Sequence, residues 1–209
     1  MRRTAINFLI ILSIALFFNV KQSAAADELT VILDWFVNPD HAPLIVAKEA
    51  GFFSEVGLEV ELVAPANPND PPKLVAAGKA DLAISYQPQL HLQVDQGLPL
   101  MRIATVVASP LTTLIVLPGG PVAGLADLKG RRIGYSVAFY KDLLLPAILA
   151  RHGLTLQDVD TVAVSFALSQ ALLAGRVDAT IGAFRNFELN QMALVGHEGR
   201  AFYPEEEGV

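Results

Sequence analysis

Two stretches of this chain repeat one another: Ala77-Gly-Lys-Ala-Asp-Leu-Ala-Ile84 and Ala174-Gly-Arg-Val-Asp-Ala-Thr-Ile181. Each reads as a helix ending at a glycine, Gly78 or Gly175, where a left-handed cap suits a residue without a Cβ. A strand follows, starting at Leu82 or Ala179. Two copies are too few for a solenoid. They predict two α/β lobes of similar plan, each containing a βαβ unit.

The flanking sequence extends that grammar on both sides. In the first half, a strand over Leu29–Leu33 leads through a loop to a helix from Ala42 that stops at Gly51. A second strand covers Glu59–Val63, a Pro/Asn/Asp-rich loop fills 64–72, and a helix runs over Lys73–Gly78 into the strand Asp81–Ser85. Tyr86-Gln-Pro-Gln89 opens a further helix. Strands are expected at Leu100–Val107 and Leu114–Leu117, and Pro118-Gly-Gly-Pro121 is strong punctuation. In the second half, Arg132–Ser136 is a strand, Tyr140–His152 a helix, Thr161–Ser165 a strand and Ala179–Ala183 another. The expected division is lobe I over 27–113, lobe II over 114–200, and 201–209 as the start of a return crossover to lobe I.

In open α/β sheets, ligands bind in the crevice beyond the carboxyl ends of strands. The stretch Val31–His41 fits such a place, since an apolar run ends abruptly in Asp34, Trp35, Asn38, Asp40 and His41. A packed core would charge a few kcal/mol for each unpartnered polar group there. Turn chemistry accounts for Asn38-Pro39-Asp40 but not for the single Trp of the chain beside Asp34. Lobe I also offers Tyr86 and Gln87. Lobe II offers Ser136 at a strand-to-helix junction, and Phe184, Asn186 and Glu188 just after a strand. Two lobes with strand ends facing a shared cleft make a hinge-closing binding protein. As a loop aromatic, Trp35 is expected to serve ligand affinity and to contribute little to either core.

The first twenty-six residues have the layout of a secretory signal peptide: Arg2 and Arg3, an apolar run from Ile6 to Val20, then Ser23-Ala-Ala-Ala26. The run is short of the roughly 20 apolar residues that span a bilayer. Its removal takes Arg2, Arg3 and Lys21 and no acid, leaving 12 basic against 21 acidic residues, a charge of −9. That acidity disfavours nucleic acid and anionic membrane as partners. The chain has no cysteine, which excludes disulfides, thiolate metal sites, a cysteine nucleophile and an N-terminal lipid anchor. A free, soluble, exported protein of the periplasm is the reading that follows.

Other constellations are weaker. Gly134-Tyr-Ser-Val-Ala138 approximates a nucleophile elbow, with alanine in place of the last glycine. N-capping of the next helix by Ser136, with a ligand contact from the helix N-terminus, is preferred. Asp34, His41 and Glu188 do not form a zinc pattern, and Pro118–Gly124 lacks dinucleotide spacing. Phe184, Phe187, Leu189 and Met192 fall at helical spacing as core, and Arg185 is expected to pair with an acid. Ser109, Thr112 and Thr113 either touch ligand or shape the hinge.

Four motifs together resemble one family. Leu33-Asp-Trp-Phe with Asn38-Pro-Asp-His-Ala42, Ala77–Tyr86, Gly134-Tyr-Ser136 and Gly182-Ala-Phe-Arg-Asn-Phe-Glu-Leu-Asn190 resemble the transporter substrate-binding proteins of the thiamine-pyrimidine-precursor group. That group shares its fold with the thiamine pyrimidine synthases. The resemblance implies a two-lobed α/β periplasmic-binding-protein type II fold, here with the C-terminal part of the first lobe missing. It implies a monomer that delivers a formylaminopyrimidine or hydroxymethylpyrimidine precursor to an ABC importer, a permease with its ATPase, and that needs no catalysis, cofactor or metal. A flat aminopyrimidine suits stacking on Trp35 or Tyr86. Its amine and any protonated ring nitrogen suit Asp34 and Glu188, with Asn38 and His41 completing the edge. A pyrimidine-synthase-like enzyme and a sulfonate- or nitrate-type binding protein are the rivals, though an anion would want convergent arginines or a nest of backbone donors. One departure stands out: the family runs through small residues after Gly134-Tyr-Ser136, whereas Val137-Ala-Phe-Tyr140 is bulky and would narrow the second-lobe wall.

Overall fold

A computed structural model describes residues 25–209; the expected signal peptide lies almost wholly outside the described residues. The chain builds two sheets. Strands β1 (Asp27–Ile32), β2 (Leu58–Val63) and β3 (Leu82–Ala83) form a parallel sheet in the order β2-β1-β3. Strands β4 (Thr112–Val116), β5 (Arg132–Tyr135), β6 (Asp160–Ala163), β7 (Ala179–Phe184) and β8 (Arg200–Phe202) form the second, in the order β6-β5-β7-β4-β8. Its β6-β5-β7 part is parallel and repeats the β2-β1-β3 arrangement, while β4 is antiparallel to both β7 and β8.

The repeated octapeptide is a repeat of structure as well. Helix α1 (Ala42–Glu49), α2 (Phe52–Glu55), α3 (Pro71–Ala76) and α4 (Gln87–Asp95) belong to the first half; α5 (Leu145–Arg151), α6 (Leu168–Leu173) and α7 (Glu188–Leu194) belong to the second. Gly78 closes α3 and Gly175 closes α6 with φ of +66° and +64°, and in each case the next residue's N–H reaches back to a carbonyl five residues earlier, Leu74 or Ala171. The aspartate of the repeat then ties the neighbouring strand. Asp81 accepts from the Thr30 N–H at 2.8 Å and Asp178 from the Arg132 N–H at 2.9 Å. Arg132 also grips Asp178 with its guanidinium, and that hydrogen bond holds the Asp178 carboxyl below its ordinary pKa.

Most of the core belongs to the five-stranded half, where Leu114, Val116, Ile133, Leu145, Ile148, Leu149 and Ile181 pack together. The first half is thinly packed, and neither α1 nor α2 buries a residue. The expected strand Leu100–Val107 is absent: the segment is irregular, with Met101 81% and Ile103 67% exposed. Its apolar residues suit a strand, but a strand stands only on a ladder, and no described residue pairs with it. From 201 onward the chain stays with the second sheet as β8, then turns over Pro204–Glu207 against α5, where Arg151 donates to Gly208 and His152 meets Glu207 at 3.0 Å.

Candidate functional site

The loop after β1 is built from its own side chains. Asn38 caps the 3-10 turn Pro39–His41, its Oδ1 accepting from the Asp40 N–H at 2.9 Å. The Asn38 N–H donates to Nδ1 of His41 at 3.2 Å, so the hydrogen-bond network assigns the ring proton to Nε2, 2.8 Å from Oδ1 of Asp34. Oδ2 of Asp34 accepts from the Tyr86 hydroxyl at 2.8 Å. Burial first, and the Asp34 charge second, hold the Tyr86 phenol well above its ordinary pKa and keep it a donor. Buried polar groups must be satisfied, and these residues satisfy one another.

Four of these residues face four from the other half. Asp34, Trp35, Asn38 and Tyr86 line one wall of a cavity whose other wall is Gly182, Phe184, Phe187 and Glu188. The cavity reaches about 250 Å³ only when the open solvent at its mouth is counted, and little of that space stands clear of the walls, so the walls must part to admit a ring. Among the described residues, no cationic side chain lines it. Glu188 is 5% exposed, and Oε2 accepts from the Phe184 N–H at 2.6 Å. Burial, with the charges of Asp40 and Asp34 adding to it, pushes the Glu188 carboxyl up to about 7.

Several buried polar atoms where the halves meet have no protein partner: Nε1 of Trp35, Oγ of Ser136, Oδ2 of Asp40 and Oδ1 of Asn186. Trp35 is the one of these residues that lines the cavity. Besides Asn38 and Gly182, the wall offers carboxylates and aromatic rings. Tyr86 and Phe184 meet edge to face at 5.9 Å.

Some sequence expectations are corrected. Trp35 lies in the loop after β1 but belongs to a core all the same: it is 6% exposed, edge-on to Phe166 at 4.8 Å and packed with Ile115, Val164 and Leu172. Ser165, at φ +49°, supplies the sharp turn that presents Phe166. Asp34 and His41 spend their polar atoms on each other and on Tyr86 instead of presenting them, and His41 stands behind Asp34. Gln87 is exposed, accepts from Arg102 at 3.2 Å and does not line the cavity. Ser136 does not cap a helix, since its hydroxyl has no partner and the helical run that follows begins without a side-chain cap. Asn186 is off the cavity wall, donating to Asp40 Oδ1 at 2.5 Å. Thr113 donates to the Ala183 carbonyl and Thr112 lies 3.4 Å from the Tyr140 hydroxyl, so both serve the second sheet. Arg185 pairs with Glu205 and lies over the Tyr203 ring at 4.3 Å.

Sequence reasoning missed Gly182 and read Phe187 as core alone. Gly182 has φ +94°, and a Cβ there would stand 2.5 Å from Tyr140 Cδ2. The ring of Tyr140 therefore sits in the notch the glycine leaves, tilted against Phe139 at 4.0 Å and 5.7 Å from Tyr86. The bulky residues after Ser136 do thicken this wall, and they do so on a π-helical turn, Tyr140–Leu144.

Among the described residues, no three acidic, histidine or cysteine side chains are grouped to hold a metal, and no helix is long and apolar enough to cross a membrane. The family profile described as "NMT1/THI5 like" matches residues 38–209. A Haemophilus influenzae relative named as a thiamine biosynthesis protein is 54% identical over 90% of this chain and 60% of its own length. The formylaminopyrimidine-binding protein of Halalkalibacterium halodurans is 36% identical over 88% and 56%. A Uromyces fabae 4-amino-5-hydroxymethyl-2-methylpyrimidine phosphate synthase is 33% identical over 76% and 46%. The chain thus spans about half to three-fifths of the curated relatives it matches. Among solved structures, the alkanesulfonate-binding protein SsuA of Xanthomonas axonopodis pv. citri superposes with a TM-score of 0.67 at 21% identity, over 89% of this chain and 64% of that one. That likeness establishes the type II periplasmic-binding-protein fold.

Proposed function

Because the chain belongs to the NMT1/THI5-like family, we propose that it is the solute-binding component of an ABC importer and that its solute is an aminopyrimidine of the formylaminopyrimidine or hydroxymethylpyrimidine kind. The observation that carries this reading is the cavity wall itself: aromatic rings around a buried Glu188, with Asp34 beside it and no cationic side chain. A flat ring bearing an amine fits such a wall by stacking and by donating to Glu188, a bond that strengthens when the acceptor is ionised. The family resemblance of Asp34, Trp35, Asn38, His41, Tyr86 and Glu188, and the printed name of the Halalkalibacterium relative, point the same way.

Under this reading, lobe I (27–113) and lobe II (114–200) close on the pyrimidine. The solute passes to a permease and its ATPase, and the protein works as a monomer in the periplasm after export. His41 orients Asp34, and Tyr86 supplies a ring face while locked to the same carboxylate. Glu188 takes the amine or a protonated ring nitrogen, and the Trp35 N–H meets an acceptor. A sulfonate would face Glu188 and Asp34 with no compensating cation, which disfavours the anion reading despite the shared fold. The synthase named for the Uromyces relative is the competing reading.

Calorimetric titration with formylaminopyrimidine, hydroxymethylpyrimidine, thiamine and taurine tests the proposal. Heat is expected from the pyrimidines and none from taurine; binding of taurine alone would overturn it. A pyridoxal phosphate absorbance band in the purified protein would favour the synthase instead.

A further inference from the structure

The loop between β2 and α3 reads Ala64-Pro-Ala-Asn-Pro-Asn-Asp70, and its role was not evident from composition. Asn67 Oδ1 accepts from both the N–H of Asn69 at 2.9 Å and its Nδ2 at 3.2 Å, fixing the Asn69 side chain before it touches anything else. That side chain then crosses to the other half. Nδ2 donates to the Ser136 carbonyl at 3.3 Å, and Oδ1 accepts from the Ala138 N–H at 2.7 Å. Both partners belong to the junction after β5. A carboxamide carries a donor and an acceptor in one plane, which is what gripping a carbonyl and an N–H two residues apart requires.

Setting aside Thr112 and Thr113, which belong to β4 of the second sheet, the side-chain hydrogen bonds between the two sheet units among the described residues come from Asn69 and from Asn186 to Asp40. Asn69 does not line the cavity, so its bonds exist only when the walls are together and ask nothing of a ligand. Main-chain atoms on the far side cannot rotate away, so the hook reads the position of the second half and not the rotamer of a side chain.

We propose that Asn69 is a positioning residue that latches the cleft shut, with Asn67 holding the latch in its working rotamer. The latch itself rests on geometry; only its effect on a solute rests on the function proposed above. Opening the cleft breaks two hydrogen bonds to Asn69, and a net loss of this size corresponds to about tenfold in an equilibrium constant.

The absence of cysteine makes paired labelling simple. Labels at Lys79→Cys and Gln170→Cys, both exposed positions, report the distance between halves by single-molecule energy transfer in the full chain. Asn69→Ala is expected to shift the population toward the longer distance about tenfold, with unchanged far-UV dichroism. Asn69→Asp keeps the acceptor for Ala138 but loses the donor to Ser136, and Asn67→Ala frees the rotamer; each should fall between. Identical distance distributions in all three variants would overturn the latch. With formylaminopyrimidine as probe, Asn69→Ala should raise the dissociation rate about tenfold and leave association nearly unchanged. If the parent chain does not bind that pyrimidine, the functional reading fails, while the distance measurement still judges the latch.

Discussion

Glu188 concentrates the chemistry of the site in one side chain. Its carboxyl is raised to about 7 by burial, against an ordinary value near 4.5, with Asp40 and Asp34 adding to the shift. The folded form therefore holds a proton that the unfolded chain gives up, and stability falls as pH climbs through the window from 4.5 to 7. The loss is about 3 kcal/mol once both are passed. Glu188→Gln should flatten that slope: denaturant unfolding at pH 8 is expected to show the variant more stable than the parent, with little difference at pH 4.5. A variant no more stable at pH 8 would mean that Glu188 is not held in a strained charge state. Trp35 makes the opposite point. Buried against Phe166 and the second core, it should cost about 3–5 kcal/mol when cut to alanine, which a urea melt would measure; a loss under 1 kcal/mol would show that it carries little of that core. Spacing showed that Asp34, Asn38 and His41 crowd together. It did not show that His41 and Tyr86 consume the Asp34 oxygens, because pairing among neighbours depends on the turn the backbone takes.

At the scale of elements, the repeated octapeptide was legible and so was its grammar, since helix, glycine cap, aspartate and strand are all local devices. Its aspartates turned out to be strand ties, Asp81 to Thr30 and Asp178 to Arg132. The expected strand at Leu100–Val107 failed because a strand is a property of its partner as much as of its own sequence. The run from Phe139 to Leu144 was legible as bulk but not as a π-turn that seats Tyr140 in the Gly182 notch. Gly182→Ala would add a methyl at a left-handed φ and against a ring that has nowhere to go. A loss of about 3 kcal/mol or more is expected in equilibrium unfolding, and Tyr140→Leu in the same chain should recover part of it. Full stability of Gly182→Ala alone would show that the ring moves freely.

Across the whole molecule, two β-sheet units that share a parallel three-strand arrangement face each other over an acidic, aromatic cavity that is too small for a ring until the walls part. Fold class and the two facing walls could be read from the sequence, because strand ends in such folds converge on one crevice. Which side chains face the ligand and which merely brace others could not, since that depends on contacts such as Trp35 with Phe166 that join distant parts of the chain. The central claim is that the cavity is built to accept hydrogen bonds from a ring amine. The most direct measurement compares formylaminopyrimidine with the same pyrimidine lacking its amino group in one titration series. A site whose buried acceptors lose their partner rejects such an analogue strongly, so the amine-bearing ring should bind at least about a hundredfold tighter. Equal affinities for the two would contradict the account.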